Sequence, residues 1–180
     1  MLEDKFLLLR LKRGNADALR RIYEKYKDEL LALAVALSND RAAAEDALHD
    51  VFVSLVEYSD KLQLRTSLKS YLSSCIANRV RNLNRRKALR TAQLSRARAV
   101  SSDHDGPDRL ATSAELSRRV DQAMEQVPYE QREVIILHLQ SGMRFKAIAQ
   151  SQNVSINTIQ SRYRYGLDKL RMLLNGTVER

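Results

Sequence analysis

Phe145-Lys146-Ala147-Ile148-Ala149-Gln150-Ser151-Gln152-Asn153-Val154-Ser155-Ile156-Asn157-Thr158-Ile159-Gln160-Ser161-Arg162-Tyr163-Arg164-Tyr165 decides the fold. Phe145, Ile148 and Ala149 share the inner side of a short helix, which Ser151 to Val154 interrupts. Asn153 falls where the turn needs a left-handed residue, a conformation Asn tolerates. Val154 fits between the helices, and Ser155 is a strong N-cap for a second, longer one ending near Leu174. There Ile156, Ile159, Tyr163, Leu167 and Leu170 recur at helical spacing and make the buried stripe. Thr158, Ser161, Arg162 and Tyr165 face broadly the other way, with Asn157, Gln160 and Arg164 at the flanks. In a helix-turn-helix the second helix enters the major groove. Its amides, hydroxyls and guanidinium groups supply the mixed donors and acceptors that base edges require. A solvated helical hairpin accounts for the turn but not for the scarcity of acids, since Asp168 alone precedes the tail.

Working outward, Pro128 fits the first turn of a helix over Tyr129–Gln140, with Val134, Ile135, Leu137 and Leu139 apolar and Gly142 closing it. Ala114–Gln126 forms another, carrying Leu116, Val120 and Ala123 or Met124. From Ala88 to Ser113 the periodicity fades, and Ser101, Ser102, Asp103, Asp105, Gly106, Pro107 and Asp108 read as a linker. Before it, a helix from Thr66 or Ser67 to Lys87 buries Leu68, Tyr71, Leu72, Cys75, Ile76, Val80 and Leu83. Asn78, Arg81, Asn82 and Arg85 stand at i, i+3, i+4 and i+7 on its polar face, flanked by Arg79 and Arg86. Asn and Arg suit base edges and phosphates.

Earlier still, Ala44, Ala47, Leu48, Val51, Phe52 and Leu55 form the stripe of a helix over Arg41–Tyr58, with Glu45, Asp46, His49, Asp50 and Glu57 largely off it. Within the helix those acids have no Lys or Arg four residues on, so intrahelical pairs do not explain them. An acidic face on a DNA-binding chain points away from DNA, toward a basic protein. A helix over 15–38, capped by Asn15, precedes the break at Ser38-Asn39-Asp40.

Charge follows the same division. Residues 61–102 hold 11 basic side chains and no acid, and residues 143–180 hold 7 basic and 2 acidic ones. Residues 1–60 are net negative, with 9 basic and 12 acidic, and so are residues 103–142, with 4 and 8. Two confined basic blocks attract phosphate backbones through counterion release. A chain of 180 residues with 5 Gly, 2 Pro and no Trp favours helices and leaves room for two small domains.

The remaining features exclude other classes. Leu30 to Leu37 is the longest apolar run, far short of a span of about 20 residues, and the start of the chain lacks a secretory signal. Cys75 is alone, so no disulfide or cysteine metal cluster is expected. His49, His104 and His138 are far apart, and no glycine loop cradles phosphate, which disfavours an enzyme such as a recombinase with a helix-turn-helix. No catalytic residue, metal, cofactor or small-molecule substrate is expected, and the reading is a cytoplasmic protein without membrane insertion.

Two parts of the chain, about residues 15–87 and 115–174, resemble one family. Ala44-Glu45-Asp46-Ala47-Leu48-His49-Asp50-Val51-Phe52 is similar to the A-E-D-L-V-Q-E-V-F helix of region two in extracytoplasmic-function (ECF) sigma factors of bacterial RNA polymerase. Ser67-Leu68-Lys69-Ser70-Tyr71-Leu72, Ala77-Asn78-Arg79 and Leu83-Asn84-Arg85-Arg86 resemble that region's promoter-melting helix. Val127-Pro128-Tyr129-Glu130-Gln131-Arg132-Glu133-Val134 resembles the opening of region four, and the helix-turn-helix matches its end. His49 stands for the usual Gln, Tyr71 for Trp and Asn153 for Gly.

The resemblance implies an all-α fold of two small helical domains. Residues 1–90 would be a region-two domain, 91–113 a flexible linker along the polymerase's RNA exit path, and 114–180 a region-four domain. Glu45, Asp46, His49 and Asp50 would dock on the polymerase's largest subunit. Asn78, Arg79, Arg81, Asn82, Arg85 and Arg86 would hold the −10 element as it opens. Asn157, Thr158, Gln160, Ser161, Arg162, Arg164 and Tyr165 would read the −35 element. Core RNA polymerase, promoter DNA and an anti-sigma factor are the partners implied. An operator-binding regulator would explain residues 144–174 but leave the acidic helix and the Asn78–Arg86 face without purpose.

Overall fold

The computed structural model describes residues 2–64, 66–95 and 112–175, with backbone only at 92–95 and 112–114. The described residues are built from eight α-helices and one 3-10 turn, with no strand. The N-terminal unit comprises α1 (Leu2–Lys12), α2 (Ala16–Ser38), α3 (Arg41–Glu57), the turn Ser59–Lys61 and α4 (Leu68–Ser95). The C-terminal unit comprises α5 (Thr112–Glu125), α6 (Tyr129–Leu139), α7 (Phe145–Gln152) and α8 (Ile156–Asn175).

Helix α2 is the spine of the first unit, packed on α1, α3 and α4. Its Ile22, Leu30, Leu33 and Leu37 are fully buried with Leu55 of α3 and Leu68, Leu72 and Ile76 of α4. Each such side chain contributes about 1.5–3 kcal/mol of apolar burial. The ends are set by side chains: Asn15 Oδ1 accepts from Ala18 N at 2.9 Å, Asp40 Oδ1 from Ala43 N at 3.1 Å and Ser67 Oγ from Ser70 N at 3.1 Å. Asn39 ends α2 in the left-handed region at φ 53°, so the chain reverses within two residues. Lys87 of α4 then bonds Asp40 Oδ2 at 2.8 Å, tying the α2–α3 corner to the far helix.

Three features depart from the sequence reading. Helix α1 is absent from that reading; in the fold Leu7, Leu8 and Leu11 are buried, as is Asp4, which accepts from Lys25 Nζ at 2.8 Å and Tyr26 Oη at 2.9 Å. Helix α4 runs on to Ser95 and α5 starts at Thr112, so helix occupies both ends of the expected 91–113 linker. The reason is propensity: Ala88, Leu89, Arg90 and Thr91 are all exposed, but the stretch from Ala88 to Leu94 contains strong helix formers. The Ser101–Asp108 stretch and His104 lie outside the described residues. Finally, Pro128 caps α6, its carbonyl accepting from Arg132 N at 2.9 Å, but the helix ends at Leu139, one residue short of the expected Gln140.

In the second unit α8 lies across α6, α7 and α5. Gly166 is buried where α8 crosses α6, and a Cβ there would meet Ile135 Cδ1 at 2.7 Å and Gln131 Cβ at 3.1 Å. His138 is structural: Nδ1 lies 2.8 Å from the Met143 carbonyl, and the ring packs on Phe145 and Tyr163 at 4.4 and 5.1 Å. The two units are not separate bodies, because one continuous cluster of buried residues runs through both and α2 touches α6.

Candidate polymerase and nucleic-acid interfaces

Helix α3 presents the acidic face that the spacing predicts. Its stripe Ala44, Ala47, Leu48, Val51, Phe52 and Leu55 is buried, while Glu45, Asp46 and His49 are exposed and Asp50 is half-buried. One detail differs: Glu45 does have an intrahelical partner, with Arg41 Nε at 2.9 Å on its N-terminal side. An apolar patch beyond the acids is also missing from the sequence reading. Val53 and Val56 are exposed and, with Tyr23, Phe52 and His49, line an apolar groove of about 380 Å³ between α2 and α3. The signal available for it was their place outside the 44–55 stripe.

Helix α4 presents Asn78, Asn82, Arg85 and Arg86 to solvent, whereas Arg79 and Arg81 are half-buried and engaged. Arg79 forms an ion pair with Asp50 of α3, joining a residue of the expected DNA face to one of the expected polymerase face. Arg81 donates from Nε to Glu133 Oε2 of α6 at 3.1 Å, from Nη2 to Glu133 Oε1, and from Nη1 to Asn78 Oδ1 at 3.0 Å. Burial opposes the charge on Arg81, but the hydrogen bonds and attraction of Glu133 outweigh it and hold its pKa above the usual value. Helix α4 has no acid of its own; other helices supply the counter-charges. Tyr71, standing where the family has Trp, is half-buried against the core, and burial pushes its hydroxyl up to about 12.

Helix α8 begins as predicted. Asn153 adopts φ 54°, and Ser155 Oγ accepts from Thr158 N at 3.0 Å. Asn157, Gln160, Arg164 and Tyr165 are exposed, while Thr158, Ser161 and Arg162 are half-buried. The open side is therefore rotated toward residues placed at the flanks from sequence. Arg162 Nη1 donates to Gln152 Oε1 of α7 at 2.9 Å, fastening the two helices of the motif. Arg164 lies over the Tyr165 ring, 5.1 Å from its centroid. Ile156, expected in the stripe, is 42% exposed, because as the first residue of α8 it precedes the turn that seats on α6.

Three helices thus carry an acidic face, a basic and amide face, and a capped second helix of a helix-turn-helix. Comparison with known proteins agrees. Residues 22–90 match the family model for sigma-70 region 2 and residues 117–170 that for sigma-70, region 4, so the two in order cover most of the chain. The RNA polymerase sigma factor CarQ of Myxococcus xanthus is 25% identical over 92% of this chain and 94% of its own. The ECF RNA polymerase sigma factor SigW of Bacillus subtilis is 23% identical over 91% and 92%. Among solved structures, the sigma factor RpoE of Bartonella quintana, in complex with the anti-sigma factor NepR, superposes with a TM-score of 0.70 at 25% identity, covering 89% of this chain and 98% of that one. CnrH in complex with the cytosolic domain of CnrY gives 0.71 at 20% identity over 97% and 98%.

The chain belongs to the sigma-70 family, as an ECF sigma factor. It acts with RNA polymerase in promoter-specific initiation of transcription. Among the described residues no helix is long and apolar enough to cross a membrane.

Proposed function

We propose that the labour is divided among the three helices. Core polymerase docks on the outer side of α3 through Glu45, Asp46 and His49, with Asp50 at the edge. The apolar groove at Tyr23, Val53 and Val56 continues the same contact. The −10 element opens against Asn78, Asn82, Arg85 and Arg86 of α4, and Arg79 and Arg81 join only on leaving their carboxylates. Asn157, Gln160, Arg164 and Tyr165 lead the reading of the −35 element, with Thr158, Ser161 and Arg162 placed closer to the protein. The functional boundaries follow the helices: a region-two domain through Ser95 and a region-four domain from Thr112.

The observation that carries this reading is the outward side of α4, where two asparagines and two arginines stand exposed on a helix without an acid. Opened DNA needs cationic groups for its backbone and polar groups for unstacked bases. The protein works by binding, with no catalytic group of its own, in the cytoplasm. An anti-sigma protein is a further partner, since the two solved structures named above are complexes, one of them with an anti-sigma factor.

Reconstitution with core polymerase on a pool of promoter fragments tests the assignment. The holoenzyme is expected to select and transcribe fragments sharing a −35 and a −10 element. Tight binding of the protein alone to duplex, with no initiation from any selected fragment, would identify an operator-binding regulator instead.

A further inference from the structure

Arg81 stands on the helix assigned to opened DNA, yet its guanidinium is held by the other unit. Its partner Glu133 is only 1% exposed. A carboxylate so far from water is costly unless a cation and hydrogen bonds satisfy it, and Arg81 supplies both on its two oxygens. Tyr129, one helical turn before Glu133, is half-buried at the same junction, and that burial, reinforced by Glu133, drives its hydroxyl pKa upward. Further tethers close the units elsewhere: Arg132 Nη2 donates to the Leu37 carbonyl at 3.5 Å, and Asn39 Nδ2 donates to Glu125 Oε1.

This closure has a consequence in length. Arg81 joins α4 to α6, and Gly166 seats α8 directly on α6. Helix α4 also touches α7, the first helix of the motif, and packed helices lie about 8–10 Å apart, so α4 and the helix-turn-helix stand within roughly 20 Å of each other. Elements centred near −35 and −10 are about 25 base pairs apart, or about 85 Å of duplex at about 3.4 Å per pair. The closed protein cannot engage both.

We propose that the Arg81–Glu133 pair is an intramolecular latch that holds the free protein closed and withholds one −10 contact until the units part. The idea rests on α4 being the −10 surface. Either the carboxylate or a phosphate holds the guanidinium, so closure and DNA engagement exclude one another at this atom group.

The test uses the full chain with Cys75→Ser, and spin labels at Tyr58→Cys on the first unit and Met172→Cys on the second, both exposed positions. Pulsed dipolar spectroscopy should show one short distance in the parent. Glu133→Gln and Arg81→Gln should each shift the closed-to-open ratio by about tenfold or more toward longer distances. The exchange Arg81→Glu with Glu133→Arg should recover the short distance. Unchanged distances in both folded single variants overturn the latch; Arg81→Gln keeps the test open if Glu133→Gln fails to fold. Titration with fluorescent single-stranded (dT)20 separates the two ideas. Tighter binding by Glu133→Gln supports the gating of α4. Longer distances without any gain in (dT)20 binding support the latch and overturn α4 as the −10 surface.

Discussion

Helices α4 and α8 carry the arginines proposed to meet nucleic acid, but the protein holds them in different ways. On α4 the counter-charges come from elsewhere in the fold: Asp50 of α3 takes Arg79, and Glu133 of α6 takes Arg81. On α8 the arginines of the reading surface have neutral partners: Arg162 is held by the amide of Gln152, and Arg164 donates to the Tyr165 hydroxyl at 3.4 Å. Ion pairing neutralises; a neutral acceptor only orients. The proposed recognition helix is thus presented ready to read, whereas the proposed melting helix is partly neutralised within the protein.

The largest effect should come from reversing a charge on α4 that no described carboxylate engages. Arg85 is exposed, one helical turn beyond Arg81. Arg85→Glu should reduce open promoter complexes by about 100-fold, roughly 3 kcal/mol, by setting like charge against phosphate. Polymerase binding, measured by holoenzyme assembly, should change less than threefold. Equal loss of both activities means that α4 does not face DNA.

On α8 the corresponding weakness is packing. Gly166→Val puts two methyl groups where Ile135 Cδ1 is already within 2.7 Å of a Cβ, so α8 must lift from α6. A loss of about 2 kcal/mol in chemical denaturation is expected, within the usual range for overpacking. Duplex −35 binding should fall with it, because the helix loses its seat. A neutral result means that Ile135 yields by changing rotamer.

Docking should respond next. Asp46→Arg alters an exposed side chain on α3 that none of the ion pairs among the described residues uses, and should weaken polymerase binding about tenfold, or about 1.4 kcal/mol. Binding of the free protein to −35 duplex should stay within twofold of the parent. Normal holoenzyme assembly in this variant removes α3 as the docking helix.

What could be read from sequence divides along the same physical line. Periodicity and caps report local structure, and Asn15, Asp40, Ser67, Asn153 and Ser155 all sit where such signals put them. Helix α1 escaped because its buried side begins with a carboxylate, Asp4, whose partners Lys25 and Tyr26 lie on α2. Nothing local marks that burial as satisfied. The same holds for Glu133, the buried acid of α6, whose partner is 52 residues earlier in the chain. Gly166 was legible in principle, since a glycine inside an otherwise well-formed helix needs a packing reason. The engagement of Arg79 and Arg81 was not, because helical spacing predicts which side chains share a face and not which other helix covers it.

The smallest effect concerns Arg79, and it asks whether the contrast between the two helices persists on DNA. Its side chain is 42% exposed and that of Asp50 39%, so the pair is screened by water and contributes under about 1 kcal/mol to folding. Arg79→Gln should therefore leave the unfolding midpoint nearly unchanged. In binding, a guanidinium already neutralised by Asp50 releases no counterion, so the salt dependence of promoter binding should match the parent, whereas Arg164→Ala should lower the slope by about one. If Arg79→Gln lowers the slope as much as Arg164→Ala does, the Asp50 pair breaks when DNA arrives. The melting helix is then as available as the reading helix, and the difference between them belongs to the free protein alone.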